Sequence, residues 1–230
     1  MNSETLILFW WLVFGGSHII GSSIPVRTFV INRIGTLGFK CIYSFVALVT
    51  FIQLCLAFFT HVHAGNYFYT PGYILQLLAQ FLMLAAFVIL LQALTTVNPM
   101  STKAELFGKY INAGFGIQRV TRHPQNFAFG LFGLAHLLVN PYVGDWIFFG
   151  GFIIYGIASA MHQDRRILAM GHVQAKKFIA DTSALPFAAI IKGKQRFGLD
   201  EYYPPALAAA LVLFILIRLL HPMIFGGFGG

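Results

Sequence analysis

Residues 114–138 read GFGIQRVTRHPQNFAFGLFGLAHLL. Arg119, Arg122 and His123 stand before Pro124, and the apolar run that follows carries a second imidazole, His136. Proline suits the first position of a helix, where its missing N–H costs nothing. The free N–H groups of that turn and the helix dipole attract an anion. Two guanidiniums beside them make an anion clamp. It would suit a haem propionate, a lipid phosphate, a substrate carboxylate or the carboxylate of a nucleoside cofactor. Equally, the two arginines serve as plain anchors to phospholipid head groups.

His136 sits in Gly133-Leu134-Ala135-His136, and Gly130 with Gly133 thins one face of its helix, as suits a close-packed helix or a planar cofactor. His18, in Gly15-Gly16-Ser17-His18, has the same small neighbours. Each is either a ligand or one end of an interhelical hydrogen bond. No H-x-x-x-H or C-x-x-C spacing occurs, so a zinc site is poorly supported. Two neutral imidazoles from different helices suit haem iron, which takes axial histidines inside an apolar shell. His162 precedes Asp164-Arg165-Arg166 and reads as water-reachable. His61, His63 and His172 read as solvated loop residues, and His221 as interfacial.

These groups need elements to hold them. The chain has 230 residues, of which 58% are hydrophobic and 10% charged, against roughly 25% charged in soluble domains. A membrane-crossing helix takes about 20 apolar residues. Six segments qualify: 5–24, 39–60, 72–95, 124–142, 144–162 and 204–225. The expected fold is an all-α membrane protein, one domain over 1–230, with about six transmembrane helices and amphipathic cytoplasmic segments. His18 then lies about 9 Å and His136 about 18 Å from the inner boundary, at 1.5 Å per residue. That offset strains a model in which both hold one iron.

Charge sets the orientation. Arg27, Arg33 and Lys40 follow the first span, Lys103, Lys109, Arg119 and Arg122 the third, and Arg165 through Arg196 the fifth. Only Arg218 of the 15 basic residues falls elsewhere. The positive-inside rule makes that side cytoplasmic and places both termini outside. The net charge of +8 therefore reflects topology, and no nucleic-acid partner is implied. The first span follows Glu4 without a basic residue, unlike a signal peptide. Cys41 and Cys55 share one span, about 21 Å apart along a helix, too far for a disulfide.

Between spans, Lys103–Tyr110 reads as a short interfacial helix. Ile167, Met170, Val173, Phe178 and Ile179, with Arg166, Lys176 and Lys177 among them, read as an amphipathic helix on the inner surface. The run 185–191 is too short to span, and the glycine-rich tail reads as frayed.

The motifs Arg119-Val120-Thr121-Arg122-His123-Pro124-Gln125, Leu134-Ala135-His136, Asp164-Arg165-Arg166 and Thr182-Ser183-x-Leu185-Pro186-Phe187-Ala188-Ala189-Ile190-Ile191 resemble the NnrU family in order and spacing over nearly the whole chain. That family includes bacterial NnrU, linked to denitrification and nitric oxide metabolism, and a plastid 15-cis-ζ-carotene isomerase. The resemblance implies a bacterial inner-membrane protein that binds haem b through His18 and His136; the clamp of Arg119 and Arg122, with His123 beside it, would then stand at a cofactor's anionic groups. It implies a haem-dependent isomerase as the most concrete activity, acting on a small hydrophobic or gaseous ligand among membrane lipids. The isomerase branch carries a cysteine one turn before the second histidine, and this chain has Gly133 there. A more distant resemblance, to isoprenylcysteine carboxyl methyltransferases and sterol reductases, rests on the Arg-His-Pro motif. It implies a nucleoside cofactor at Arg122 and His123, though Asn126 stands where those families carry a tyrosine. A third reading is a non-enzymatic assembly partner of a respiratory reductase.

Overall fold

The computed structural model of the protein describes residues 2–96, 114–171 and 173–225. The helix expected at Lys103–Tyr110, His172 and the tail beyond Phe225 lie outside them. The described residues form α1 (Ser3–Gly21), α2 (Ile24–Phe59), α3 (Tyr73–Thr95), α4 (Ile117–Val120), α5 (Pro124–Leu137), α6 (Val143–Ala169), α7 (Val173–Asp181), α8 (Ala188–Ile191), a 3₁₀ turn (Leu199–Glu201) and α9 (Pro204–Phe225). The all-α expectation holds. Among the described residues the one pairing of β type is an isolated bridge, Tyr67 to Tyr142.

Five helices, α1, α2, α3, α6 and α9, are long and apolar enough to cross a membrane. The expected fourth span, 124–142, holds a helix shorter than the apolar run, though it still leads from the cationic end of the bundle to the opposite end. Its helix, α5, has 14 residues, about 21 Å of a hydrocarbon core about 30 Å thick. It stops at Leu137 because Asn140 turns its amide onto the His136 carbonyl at 2.9 Å and Pro141 follows, which disfavours helical backbone before it. The second span starts earlier than expected. Its helix begins at Ile24 and bends at Gly35, where φ is +73°, a value that glycine adopts without strain. The amphipathic stretch after α6 is two pieces rather than one helix, broken at Gly171 with φ +77°. Phe178 of α7 packs with Ile167 of α6 and Ala175, while Val173 and Met170 stay exposed.

The long helices form a row. α2 packs on α1, α1 on α6, α6 on α5, α5 on α3 and α3 on α9. The row curls, and its two ends meet where Phe59 of α2 stacks on Phe225 of α9 at 6.0 Å. Otherwise α2 makes no extended contact with α3 or α9. Large apolar side chains such as Leu12, Ile74 and Ile154 point outward, as they should in lipid. Lipid gives helices no hydrophobic drive to associate, so the contacts rely on small residues and close packing. A Cβ on Gly151 would overlap the Trp11 ring, and one on Gly133 would overlap the Phe149 carbonyl oxygen. Trp11 donates from Nε1 to the Phe148 carbonyl at 3.0 Å, fixing α1 on α6.

One end of the bundle ties residues 60–69 to 137–145. The Gly144 N–H donates to the Ala64 carbonyl at 2.9 Å and the Phe68 N–H to the Pro141 carbonyl at 2.8 Å. The other end gathers the cationic segments. Arg166, for example, donates to the Ser22 carbonyl at 3.3 Å.

Candidate functional site

α5 carries the residues of the opening motif at its start and His136 in its last turn. His136 donates from Nδ1 to the Phe132 carbonyl at 2.8 Å. A carbonyl only accepts, so this bond fixes the tautomer and leaves the lone pair on Nε2. The ring stacks on Phe149 at 4.4 Å and 17°. It lines a cavity of about 580 Å³ walled by α2, α3, α5, α6 and α9 and rich in phenylalanine, including Phe51, Phe58, Phe87 and Phe152. Gly133, one turn before His136, brings α5 against α6. The glycines of this helix therefore divide: Gly133 serves close packing, while a Cβ on Gly130 would meet nothing within 4 Å.

His18 lies elsewhere. Its ring sits beside Tyr43 at 4.6 Å, Phe14 at 5.7 Å and Tyr155 at 5.7 Å. Its Nδ1 is buried without a hydrogen-bond partner. Tyr155, Ser159, His162 and Arg166 fall at helical spacing on one face of α6, and His162 Nε2 is also buried without a hydrogen-bond partner. His162 thus differs from its expected place in water.

The resemblance implies haem b on His18 and His136. His136 would suit such a ligand, since a histidine that donates its other nitrogen to a carbonyl is oriented for a metal. The pair does not fit one iron in this arrangement. His136 lies level with Phe149 and His18 with Tyr155, six residues or about 9 Å along α6. Phe14, Phe51, Phe152 and Phe132 form a continuous series of ring contacts between them. His18 does not line the cavity. Among the described residues no cluster of three or more His, Cys, Asp or Glu side chains could hold a metal ion.

The basic residues before Pro124 meet protein carboxylates. Asp164 of α6 accepts from Arg122 Nε at 3.0 Å, from Arg122 NH2 at 2.8 Å and from His123 Nε2 at 2.8 Å. Arg122 NH1 also donates to the Thr182 carbonyl at 2.8 Å. Main-chain bonds continue the tie, from the Arg122 N–H to the Ser183 carbonyl at 2.9 Å and from the Phe187 N–H to the Val120 carbonyl at 2.8 Å. The motifs around Arg122 and Ser183, 61 residues apart in sequence, are two halves of one clasp. Arg119 forks onto Glu201, with 2.7 Å from Nε and 2.6 Å from NH2. The Gly116 N–H adds 2.7 Å to the same carboxylate. Arg119 above all holds the Glu201 carboxyl down to about 2, with help from Gly116 and Arg196 against the opposing effect of burial. Arg119, Arg122 and His123 line neither the His136 cavity nor a smaller one of about 210 Å³ beside it.

Three polar groups stand outside the sequence expectations. His63, expected in solvent, donates from Nδ1 at 2.7 Å to Asp145, which is fully buried, and it lines the cavity. His221 and Arg218 of α9 line it too. An ionisable residue within an apolar span was the one signal that could have flagged Arg218.

Comparison with known proteins agrees with the motifs. Residues 6–227 match the family model described as NnrU protein. The 15-cis-zeta-carotene isomerase, chloroplastic, of Zea mays is 32% identical over 114 residues, which are 47% of this chain and 30% of that protein. The match thus spans under a third of that relative's length. No solved structure is significantly similar. On this evidence the chain belongs to the NnrU family.

Proposed function

We propose that this protein is a membrane enzyme that takes an elongated apolar molecule into the cavity and isomerises it, as its similarity to 15-cis-zeta-carotene isomerase suggests. One observation carries the reading. A phenylalanine-walled cavity of about 580 Å³ presents, deep in the bundle, an imidazole whose tautomer is set by the Phe132 carbonyl. Ligand pockets of this kind are mostly apolar with few placed polar groups. The aromatic walls hold a polyene in one orientation and exclude water. His136 Nε2, carrying the lone pair, is the group placed to accept a proton or to ligate. The cationic end faces the cytoplasm by the positive-inside rule, which orients the protein in a bacterial inner membrane with both termini outside.

The same hydrogen bond favours a second reading, haem b held on His136 Nε2 as its protein ligand. When bound, the group would supply a redox-active iron with a position open to a ligand.

The tests differ. Protein in liposomes is given 15-cis-ζ-carotene, and the isomers are separated chromatographically. Conversion by the wild type and its loss in His136→Ala and in Met83→Trp, which narrows the cavity, are expected. No conversion by the wild type sinks the isomerase reading for this substrate. For haem, an absorption spectrum with a pyridine haemochrome assay decides. A b-type signal lost in His136→Ala supports the reading, and a protein colourless even after haem addition ends it.

A further inference from the structure

His63 lines the cavity at the end away from the cationic segments, on a strained turn. Its φ is +60°, in the left-handed region that a residue other than glycine rarely enters. Strain of this kind persists only where the surroundings enforce it, and it gathers at functional sites. Here the Val143 N–H donates to the Asn66 carbonyl at 3.2 Å and the Gly144 N–H to the Ala64 carbonyl, which fixes the turn on the start of α6. Asp145 completes it, accepting the His63 main-chain N–H at 3.3 Å as well as the ring at Nδ1. Nε2 is then the nitrogen left for a ligand.

His63 and His136 line one cavity in unlike settings. His136 gives its N–H to a carbonyl, a partner without charge. His63 has a fully buried carboxylate, which offsets a positive ring. Its side chain also stays 41% exposed, within reach of protons from water. The walls around both are rich in phenylalanine, including Phe58, Phe132, Phe148 and Phe152, and aromatic faces attract a cation. With the smaller cavity beside it, the space follows α3 from Gln76 to Leu90, about 21 Å. That is room for one arm of an elongated chain, with an interior double bond toward the His63 end.

We propose that His63, oriented by Asp145, isomerises the bound polyene by proton transfer. This rests on the isomerase reading of the cavity. The charged ring gives its Nε2 proton to a CH carbon of the cis double bond. The π electron pair becomes the new C–H bond, and the positive charge spreads along the conjugated chain between the aromatic walls. The former double bond is now single and turns. About a third of a turn brings the trans arrangement and presents the carbon's original hydrogen to the same imidazole. Nε2 takes that hydrogen as a proton, and its electron pair restores the double bond. The ring ends as it began, and nothing is oxidised or reduced. The proton that arrived stays in the trans product.

The test gives 15-cis-ζ-carotene to the full-length protein in liposomes made up in D2O buffer and weighs each isomer by mass spectrometry. The trans product is expected to carry a deuterium and the unconverted cis substrate none. His63→Asn keeps a residue that tolerates the left-handed backbone. It should slow conversion by about 100-fold or more, the usual worth of a general acid. Asp145→Asn, a change at the positioning residue, should slow conversion at an unchanged half-saturating concentration, and the product that forms should still carry the label. Trans product without deuterium overturns the inference while the isomerase reading stands, and so does full activity in His63→Asn. No conversion by the wild type fails the isomerase reading and the proton step together. The label is read on the wild type, so it decides even where thermal melts show that a variant has not folded.

Discussion

Gly133 lies so close beneath the Phe149 carbonyl that no Cβ fits between them. The obstacle is backbone, which cannot swing aside, so even an alanine must push α5 from α6. Gly133→Ala and Gly133→Cys are each expected to cost about 1–3 kcal/mol, the usual range for overpacking a tight contact. Gly130→Ala, in open space, is the control and should be neutral or mildly stabilising. Thermal unfolding in detergent distinguishes them, and equal melting points for the two alanine variants would refute the close approach.

Asp164 serves Arg122 and His123 together, both largely buried. Asp164→Ala strands the guanidinium, and breaking a buried pair from one side costs about 3–5 kcal/mol. The variant should melt earlier or fail to accumulate. Limited proteolysis should then cut first near residues 181–187, which Arg122 holds. A variant as stable as the wild type would mean that the clasp contributes little.

Acid should weaken the Arg119–Glu201 tie. The folded carboxyl sits at about 2 against an ordinary 4.5. A carboxyl depressed on folding stabilises fully above its unfolded value and loses that contribution as pH falls through the folded one. Wild type and Glu201→Gln should therefore differ most above about pH 4.5 and converge toward pH 2. Melting curves across that window check it, and a constant difference would count against the pair.

His136 and His18 should separate by phenotype. His136→Ala is expected to weaken cavity ligands at least tenfold, because it removes the fixed imidazole from the wall. His18→Ala should leave that binding within twofold, since its ring lies beyond Phe14 and Phe51. Fluorescence titration reads both, and equal losses would put the two histidines back on one site.

The spans were legible because composition alone decides whether a helix lives in lipid. The segment 204–225 coincides with α9, and 72–95 differs from α3 by one residue at its start. α5 came out shorter than its apolar run because Asn140 and Pro141 end it, and two polar or cyclic residues hardly dent a hydropathy average. The site was legible in part. His136 announced itself as an imidazole in an apolar helix. Its separation from His18 was foreshadowed by depth, but the aromatic layer between them was not. Partners were harder. Glu201 is 82 residues from Arg119, and Asp145 is 82 from His63. No local spacing joins such pairs; only the curl of the row does.

That curl has a kinetic consequence. The two ends of the row meet at Phe59 and Phe225 and hardly elsewhere, which leaves a seam in the wall beside α2 at bilayer depth. Traffic through a seam there is two-dimensional. Supply is set by mole fraction among the lipids rather than by molarity in water. Diluting the sample with buffer should leave turnover per protein unchanged, and diluting it with empty lipid should lower it.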